Sequence, residues 1–520
     1  MLITEILARN ARSYGDDIAL VERDPVAATR REISWGDFDQ EANRFANALI
    51  QAGVSKGDRV GLLLMNCLEW LPVYFGILRT GAWAVPLNFR FEADVIRACA
   101  EISEFKIFLF GTEFVERIAV VRAELPCVMT RYIFLGPRAS CPEFALLYQD
   151  FIAVADVSTP QVPLEISDDA ALYFTSGTTG HPKAVRLTHR NLEHACYVEN
   201  QHHGQTRADT FLCIPPLYHT GAKMHWFGSF IVGGRAVILK GVRPEWILQA
   251  VSEERITIVW LLVPWAHDIL IAWENAKIDL DAYHLDQWRL MHIGAQPVPP
   301  SLIHAWKRVF PEHAYDTNYG LTESTGPGCV HLGLGNTRKI GSIGIPGFDW
   351  ECRIVDTHDK DLPDGEAGEL LVKGPGVMKE YYKDPDETAA ALVDGWLRTG
   401  DVARRDKEGF IWLVDRTKDL IITGGENVSP VEIEHFFMNH PAIHDIGVIG
   451  TPDKRLGELI TAIVQVKPGM ALSVEEFLAF AEPLPRYKRP RLVYFDRVPR
   501  NATGKIEKPK LRVKYGHPAP

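Results

Sequence analysis

Residues 171–189, ALYFTSGTTGHPKAVRLTH, set glycines, hydroxyl side chains and one lysine between two apolar runs. Gly177 and Gly180 let backbone N–H groups come close to an anion. Ser176, Thr178 and Thr179 add hydroxyl donors and Lys183 adds charge, a combination that suits a polyphosphate. A plain turn rich in turn-forming residues is the simpler reading of any such stretch. The P-loop of nucleoside triphosphatases is a sharper rival, but there the lysine directly follows the last glycine and opens a helix. Here His181 and Pro182 precede Lys183 and an alternating apolar run follows, so the segment reads as strand, loop, strand.

TSGTTGHPK resembles the phosphate-loop signature of the acyl-adenylate-forming superfamily, which includes acyl-CoA synthetases, peptide-synthetase adenylation domains and luciferases. Four further family motifs follow in family order: NYGLTE at 318–323, WLRTGD at 396–401, DRTKDLIITGGENVSPVEIE at 415–434 and PRNATGK at 499–505. Within the superfamily the chain is most similar to AMP-forming acyl-CoA synthetases and to aryl- or medium-chain carboxylate–CoA ligases. The resemblance implies activation of a small carboxylic acid as acyl-AMP with release of pyrophosphate, then transfer to coenzyme A. ATP, Mg2+ and coenzyme A are the implied cofactors. A free-standing adenylating enzyme that loads a carrier protein, and a luciferase-type monooxygenase, share the first half and stay open.

Adenylation drives a carboxylate against the α-phosphate of ATP, so a site for it must hold cations and oriented donors in advance. The resemblance puts Thr175 to Gly180 and Lys183 on the phosphates, Tyr319 against adenine, Thr322 on the α-phosphate and Glu323 on the magnesium ion, with Asn318 and Gly320 in the same loop. It puts Gly294, Ala295 and Gln296 between adenine and the acyl group, Asp401 on the ribose hydroxyls and Arg416 on ribose or phosphates. Lys505 would bridge the carboxylate and the α-phosphate in the transition state. His219 would be the aromatic gate toward the thiol. Lys223, Met224, His225, Trp226 and Phe227 would line the acyl pocket, where bulky aromatics favour a compact acid; Lys223 or His225 could instead pair with a polar or second acidic group on it.

Thioester formation needs the space that Lys505 fills, so the resemblance implies a small domain that turns about Lys418 and brings Gly424 and Gly425 beside the pantetheine arm. The run at 486–491, RYKRPR, resembles the segment that holds the coenzyme A nucleotide in aryl-CoA ligases, with Tyr487, Arg489, Arg491 and, from the large domain, Arg90 as the matching contacts. Two departures stand out: Asp415 replaces a common glycine and Leu456 stands where that branch can carry a tryptophan.

These residues need a scaffold, and the pattern supplies one. From Ser34 the residues Phe38, Ala42, Phe45, Ala46 and Leu49 recur at helical spacing, with Ser34 as cap and Gly53 as terminator. Alternation of apolar runs and helical patterns over about 1–165 and again over 166–335 predicts two α/β layer sets. Short β-rich pieces at 336–415 predict a β-barrel-like part. The expected fold is thus α/β, with a large domain at 1–417 and a small, mobile α+β domain at 418–520 that carries capping boxes at Ser429/Glu432 and Ser473/Glu476.

Bulk composition narrows the class. The chain has 520 residues, 46% hydrophobic and 24% charged, and a formal charge of −11, which fits a multi-domain globular protein and argues against a nucleic-acid partner. Eight scattered cysteines show no metal-ligand spacing, so a zinc site is not expected from them. The N-terminus lacks the pattern of a signal peptide, and the most apolar stretch, 256–273, is interrupted by Pro264, His267 and Asp268, so no integral membrane segment is expected. The reading is a cytoplasmic enzyme, acting alone or as a homodimer.

Overall fold

The computed structural model describes residues 1–124, 131–176, 182–295, 298–326, 328–416, 419, 421–423, 426–453, 455–501 and 505–516. Two large sheets dominate the first three hundred residues. One has eight strands in the order 380–381, 182–188, 169–176, 83–86, 59–63, 107–111, 131–135, 146–147. The other has seven, in the order 314–316, 290–294, 258–262, 210–213, 235–239, 18–24, 29–34. Most pairings are parallel with helices on the connections, as alternating strand and helix signals require.

The sheets do not follow the sequential division at residue 165. The N-terminal hairpin at 18–34 joins the second sheet through Leu20 paired with Ala236, and the hairpin at 169–188 joins the first through Ala171 paired with Ala84. Alternation reports that a strand is buried; it carries no information on which sheet edge receives it.

Helices buried on all sides separate the two sheets. Every residue of Trp70–Arg79 is buried, as are all but Gly221 of Thr220–Phe230. The expected helix is Trp35–Gln51, capped by Ser34, whose hydroxyl accepts from the Asp37 N–H, and closed near Gly53 at φ +87°. It approaches Trp70–Arg79 so closely that a Cβ on Gly76 would lie 2.8 Å from the Ala42 carbonyl oxygen. The β-rich part is an antiparallel sheet of Glu351–Val355, Ala367–Lys373, Trp396–Arg405, Leu392–Val393 and Ile411–Arg416, which stays open among the described residues. The smaller C-terminal domain has its own core around Ile433, Phe437, Val448, Ile460 and Phe477. Ser429 and Ser473 cap its helices as expected.

Candidate active site

The strands Asp169–Ser176 and Pro182–Thr188 form an antiparallel hairpin with Thr175 opposite Lys183. Gly177, Thr178, Thr179 and Gly180 lie outside the described residues, as do Gln296, Lys418, Gly424, Gly425 and the side chains of Ser176 and Arg416. Lys183 forms an ion pair with Glu387, and its ammonium sits 5.1 Å from the centre of the Tyr381 ring. Tyr381 in turn donates its hydroxyl to Glu323 Oε1 at 2.8 Å. Burial, and then the Glu323 carboxylate, push the phenol upward, so it remains a donor. The short strand Glu380–Tyr381 pairs with the hairpin, Tyr381 opposite Val185, and the Met378 N–H donates to the Glu323 carbonyl at 2.7 Å. One segment therefore ties the hairpin to NYGLTE.

NYGLTE begins as the strand Asn318–Tyr319 and turns through a 3-10 element at Thr322–Ser324. A Cβ at residue 320 would lie 2.2 Å from the Gly326 carbonyl oxygen, so only glycine fits. Tyr319 is 7% exposed and donates its hydroxyl to Asp401 Oδ2 at 2.5 Å. Asp401 is itself buried and lies opposite Arg416 in the register of the adjacent strands. Gly294 ends the strand Leu290–Gly294, and Ala295 follows at φ +66°, a left-handed conformation that its surroundings must hold. Asn318 Nδ2 reaches Glu199 Oε1 at 3.3 Å and His225 Nε2 at 3.1 Å.

His219 stands at the N-terminal end of the helix Thr220–Phe230, its Nε2 buried with no hydrogen-bond partner among the described residues. Burial, and then the positive charges of Lys223, Lys505 and Arg90, push its imidazole down to about 3. Lys505 of the small domain and Arg90 of the large one thus both lie within electrostatic reach of this one ring. Arg90 packs on Phe89, which meets Tyr218 edge-on with centroids 5.3 Å apart.

Several expected pocket residues are otherwise occupied. Met224, Trp226 and Phe227 belong to the core between the sheets, with the Trp226 Nε1–H on the Gly234 carbonyl at 3.3 Å. The helix carries too much apolar surface for all of it to face a ligand. Lys223 is fully buried: its ammonium donates to the carbonyls of Leu217 and His219, each at 3.1 Å, among the rings of Trp70, Tyr74 and Tyr173. Burial lowers its pKa strongly. His225 is held by the Gly221 carbonyl and Asn318 and stacks on Trp260 at 4.2 Å. In the basic run, Tyr487 and Arg491 are exposed, while Arg489 donates to the carbonyls of Leu484 at 2.8 Å and Glu482 at 2.5 Å.

The family model described as AMP-binding enzyme matches residues 7–382, and that of the AMP-binding enzyme C-terminal domain matches 432–505. The chain is an AMP-binding enzyme. Relatives of this AMP-binding enzyme include a feruloyl-CoA synthase of an Amycolatopsis species, 34% identical over 494 residues, which are 93% of this chain and 94% of the relative. A crotonobetaine/carnitine–CoA ligase of Citrobacter koseri is 32% identical over 514 residues, 96% and 97% of the two chains. Among solved structures, the anthranilate CoA ligase AuaEII in complex with anthranoyl-AMP matches with a TM-score of 0.90 at 26% identity, covering 99% of this AMP-binding enzyme and 97% of that chain. Among the described residues, no helix is long and apolar enough to cross a membrane.

Sequence reasoning missed Tyr381 and Glu387, which hold Glu323 and Lys183. Neither lies in a glycine-rich or otherwise marked motif; KEYYKDPDET reads as an ordinary polar turn and helix start. Glu199, His203 and His292 were missed as well, although the first two stand four apart on one helix face, a spacing that lets two side chains meet.

Proposed function

We propose that this AMP-binding enzyme is a carboxylate–CoA ligase that forms acyl-AMP and pyrophosphate from an acid and ATP, then acyl-CoA and AMP. The naming of its relatives as CoA ligases favours coenzyme A over a carrier protein as acceptor. The observation that carries the reading is the hydrogen bond from Tyr319 to Asp401, which joins NYGLTE to WLRTGD across the fold at 2.5 Å.

In this reading Tyr319 presents its ring to adenine and shares Asp401 with the ribose, while Thr175, Lys183 and Thr322 face the phosphates. Glu323 has one oxygen on Tyr381; its other oxygen is a hard donor suited to Mg2+, which when bound neutralises phosphate charge. Lys505 holds the attacking carboxylate and the α-phosphate together, where negative charge concentrates as the bond forms. His219 is neutral and cannot draw the carboxylate away as an ion-pair partner. Departure of Lys505 with the small domain then opens a way for the thiol past His219, with Arg90, Tyr487 and Arg491 meeting the coenzyme A nucleotide. The acid is compact, since core residues claim much of the helix Thr220–Phe230, and aromatic carboxylic acids such as those named for the relatives head the panel to test. The cysteines of a cytoplasmic enzyme would stay thiols.

The test is ATP-dependent pyrophosphate release across a panel of aromatic and short aliphatic acids, followed by addition of coenzyme A, pantetheine or a carrier protein. Release of AMP with acyl-CoA formation is expected. Release of ADP, or transfer to the carrier in preference to coenzyme A, would overturn the reading.

A further inference from the structure

Behind NYGLTE lies a group of ionisable side chains that adenylation does not use. Glu199, His203, His292, Asp316 and His331 are at most 1% exposed, and His225 is 3% exposed. Glu199 and His203 come from the helix His189–His203. His292 and Asp316 face each other in register on adjacent strands. His203 lies between two carboxylates, its Nε2 2.7 Å from Asp316 Oδ2 and its Nδ1 3.0 Å from Glu199 Oε2. His292 packs against the rings of His203 and His225, each at 4.5 Å, yet both of its nitrogens are buried without a hydrogen-bond partner among the described residues. One ligand atom from each of Glu199, His203 and His292 lies within 4.8 Å of the others.

A proton explains only part of this. An imidazolium at His203 would bond Asp316 and lie 3.0 Å from Glu199, but it sets one positive charge against two negative ones in a fully buried cluster. It also leaves His292 with nothing to bond, and a buried polar group without a partner is costly. A doubly charged cation answers both: it balances Glu199 and Asp316, and it takes a lone pair of His292. We propose that Glu199, His203 and His292 form a buried binding site for a divalent transition-metal ion, with zinc favoured by a donor set of two imidazoles and one carboxylate.

The surroundings fit such an ion. Asp316 accepts the Nε2–H of His203, which orients the Nδ1 lone pair toward Glu199, the outer carboxylate arrangement typical of metal-bound histidine. His225 gives its Nδ1–H to the Gly221 carbonyl, so its Nε2, 3.8 Å from Glu199 Oε1, is the nearest fourth donor and would exchange its Asn318 hydrogen bond for the metal. The overlapping trio of His203, Asp316 and His331 suits an ion less well, because Asp316 Oδ1 already accepts the Gly333 N–H at 2.8 Å and His331 Nε2 lies 3.1 Å from the Gly328 carbonyl. The ion would sit outside the reacting atoms. It would fasten the helix His189–His203 to the strand Leu290–Gly294 and, through Glu199, brace Asn318 at the start of NYGLTE. The cysteine spacing that argued against zinc is silent on such a site, whose ligands lie almost a hundred residues apart.

The test uses the full-length protein, produced in medium with added Zn2+ or Co2+ and freed of loose metal by gel filtration. Elemental analysis should give on the order of one equivalent per chain, and the cobalt form should show the visible ligand-field bands of a low-coordinate site. His292→Phe and Glu199→Gln should each fall to less than about a tenth of an equivalent, whereas the exposed His358→Ala should not change. Wild-type protein without stoichiometric metal and without cobalt bands would overturn the proposal, even if the variants fail to fold. Undiminished metal in a folded His292→Phe variant would overturn it equally.

Discussion

Tyr319, Asp401, Tyr381 and Glu323 lie at the interface of sheets and hold one another in pairs, whereas Tyr487 and Arg491 of the small domain stand in solvent and Arg489 is turned back onto carbonyls. The first group is organised before a ligand arrives, the condition under which fixed donors stabilise developing charge most. The second can meet a highly charged nucleotide but pays to order itself on contact. If, as proposed, adenylation runs in the first region and thiol capture at the second, the enzyme should respond to mutation very differently at its two ends.

The largest expected effect separates them most sharply. Lys505→Ala should slow acyl-AMP formation by about a thousandfold, about 4 kcal/mol of transition-state stabilisation, while thioester formation from supplied acyl-AMP changes little. Single-turnover assays of the two half-reactions check this, and equal losses in both would break the contrast. Losing that cation should also raise the depressed His219 pKa, readable by histidine-selective NMR.

Acid should act chiefly on the large domain. Burial holds His189, His194, His202 and His267 down at about 4 and His219 and His313 at about 3, against His435 at about 4 and a lowered His440 among the described residues of the small domain. Between those values and about 6.5 the unfolded chain binds protons that the folded chain refuses. The stability these histidines contribute is therefore complete above about pH 6.5 and falls as pH drops, by at most about 1.4 kcal/mol per pH unit for each, while His203, raised to about 10 between its two carboxylates, works in the opposite sense above pH 6.5. Thermal unfolding from pH 7.5 to 5 should show the large domain losing ground first; a flat Tm over that range would refute this.

A smaller effect tests the pairing inside the proposed nucleotide site. Tyr381→Phe removes the donor to Glu323 and should cost about 1–2 kcal/mol, roughly tenfold in kcat/KM for ATP, with the KM for coenzyme A unmoved. Smaller again, Tyr487→Ala with Arg491→Ala should raise the KM for coenzyme A only a few fold, since exposed charges are screened, and added salt should erase most of the difference. An effect as large as that of Lys505→Ala would show that the exposed run is as preorganised as the buried site.

The same contrast governs what could be read from the chain. The strand–loop–strand hairpin at 169–188, the helix after Ser34 and the capped helices of the small domain were legible because turn residues, caps and periodicity are local signals. The exchange of hairpins between the two large sheets was not, since Leu20 and Ala171 look alike to any pattern of burial and differ only in the edge they meet. Tyr319 and Asp401 stood in motifs, but their hydrogen bond did not, and Tyr381 and Glu387 act only through contacts made across the fold. Lys223 shows the converse error: a charged residue on an apolar helix suggests a ligand, yet two carbonyls and three aromatic rings account for it.

Glu387 gives the hairpin lysine a tenant before any nucleotide arrives. A phosphate that reaches Lys183 must evict a tethered anion, so its gain is the difference between two pairings. A simple monoanion has little to offer in that exchange, whereas a polyphosphate can recover the loss through its other contacts. Glu387→Gln should accordingly lower the KM for ATP by a few fold while making the site more easily inhibited by inorganic phosphate or sulfate. The carboxylate on that short helix would then act as a filter on which anions are worth admitting.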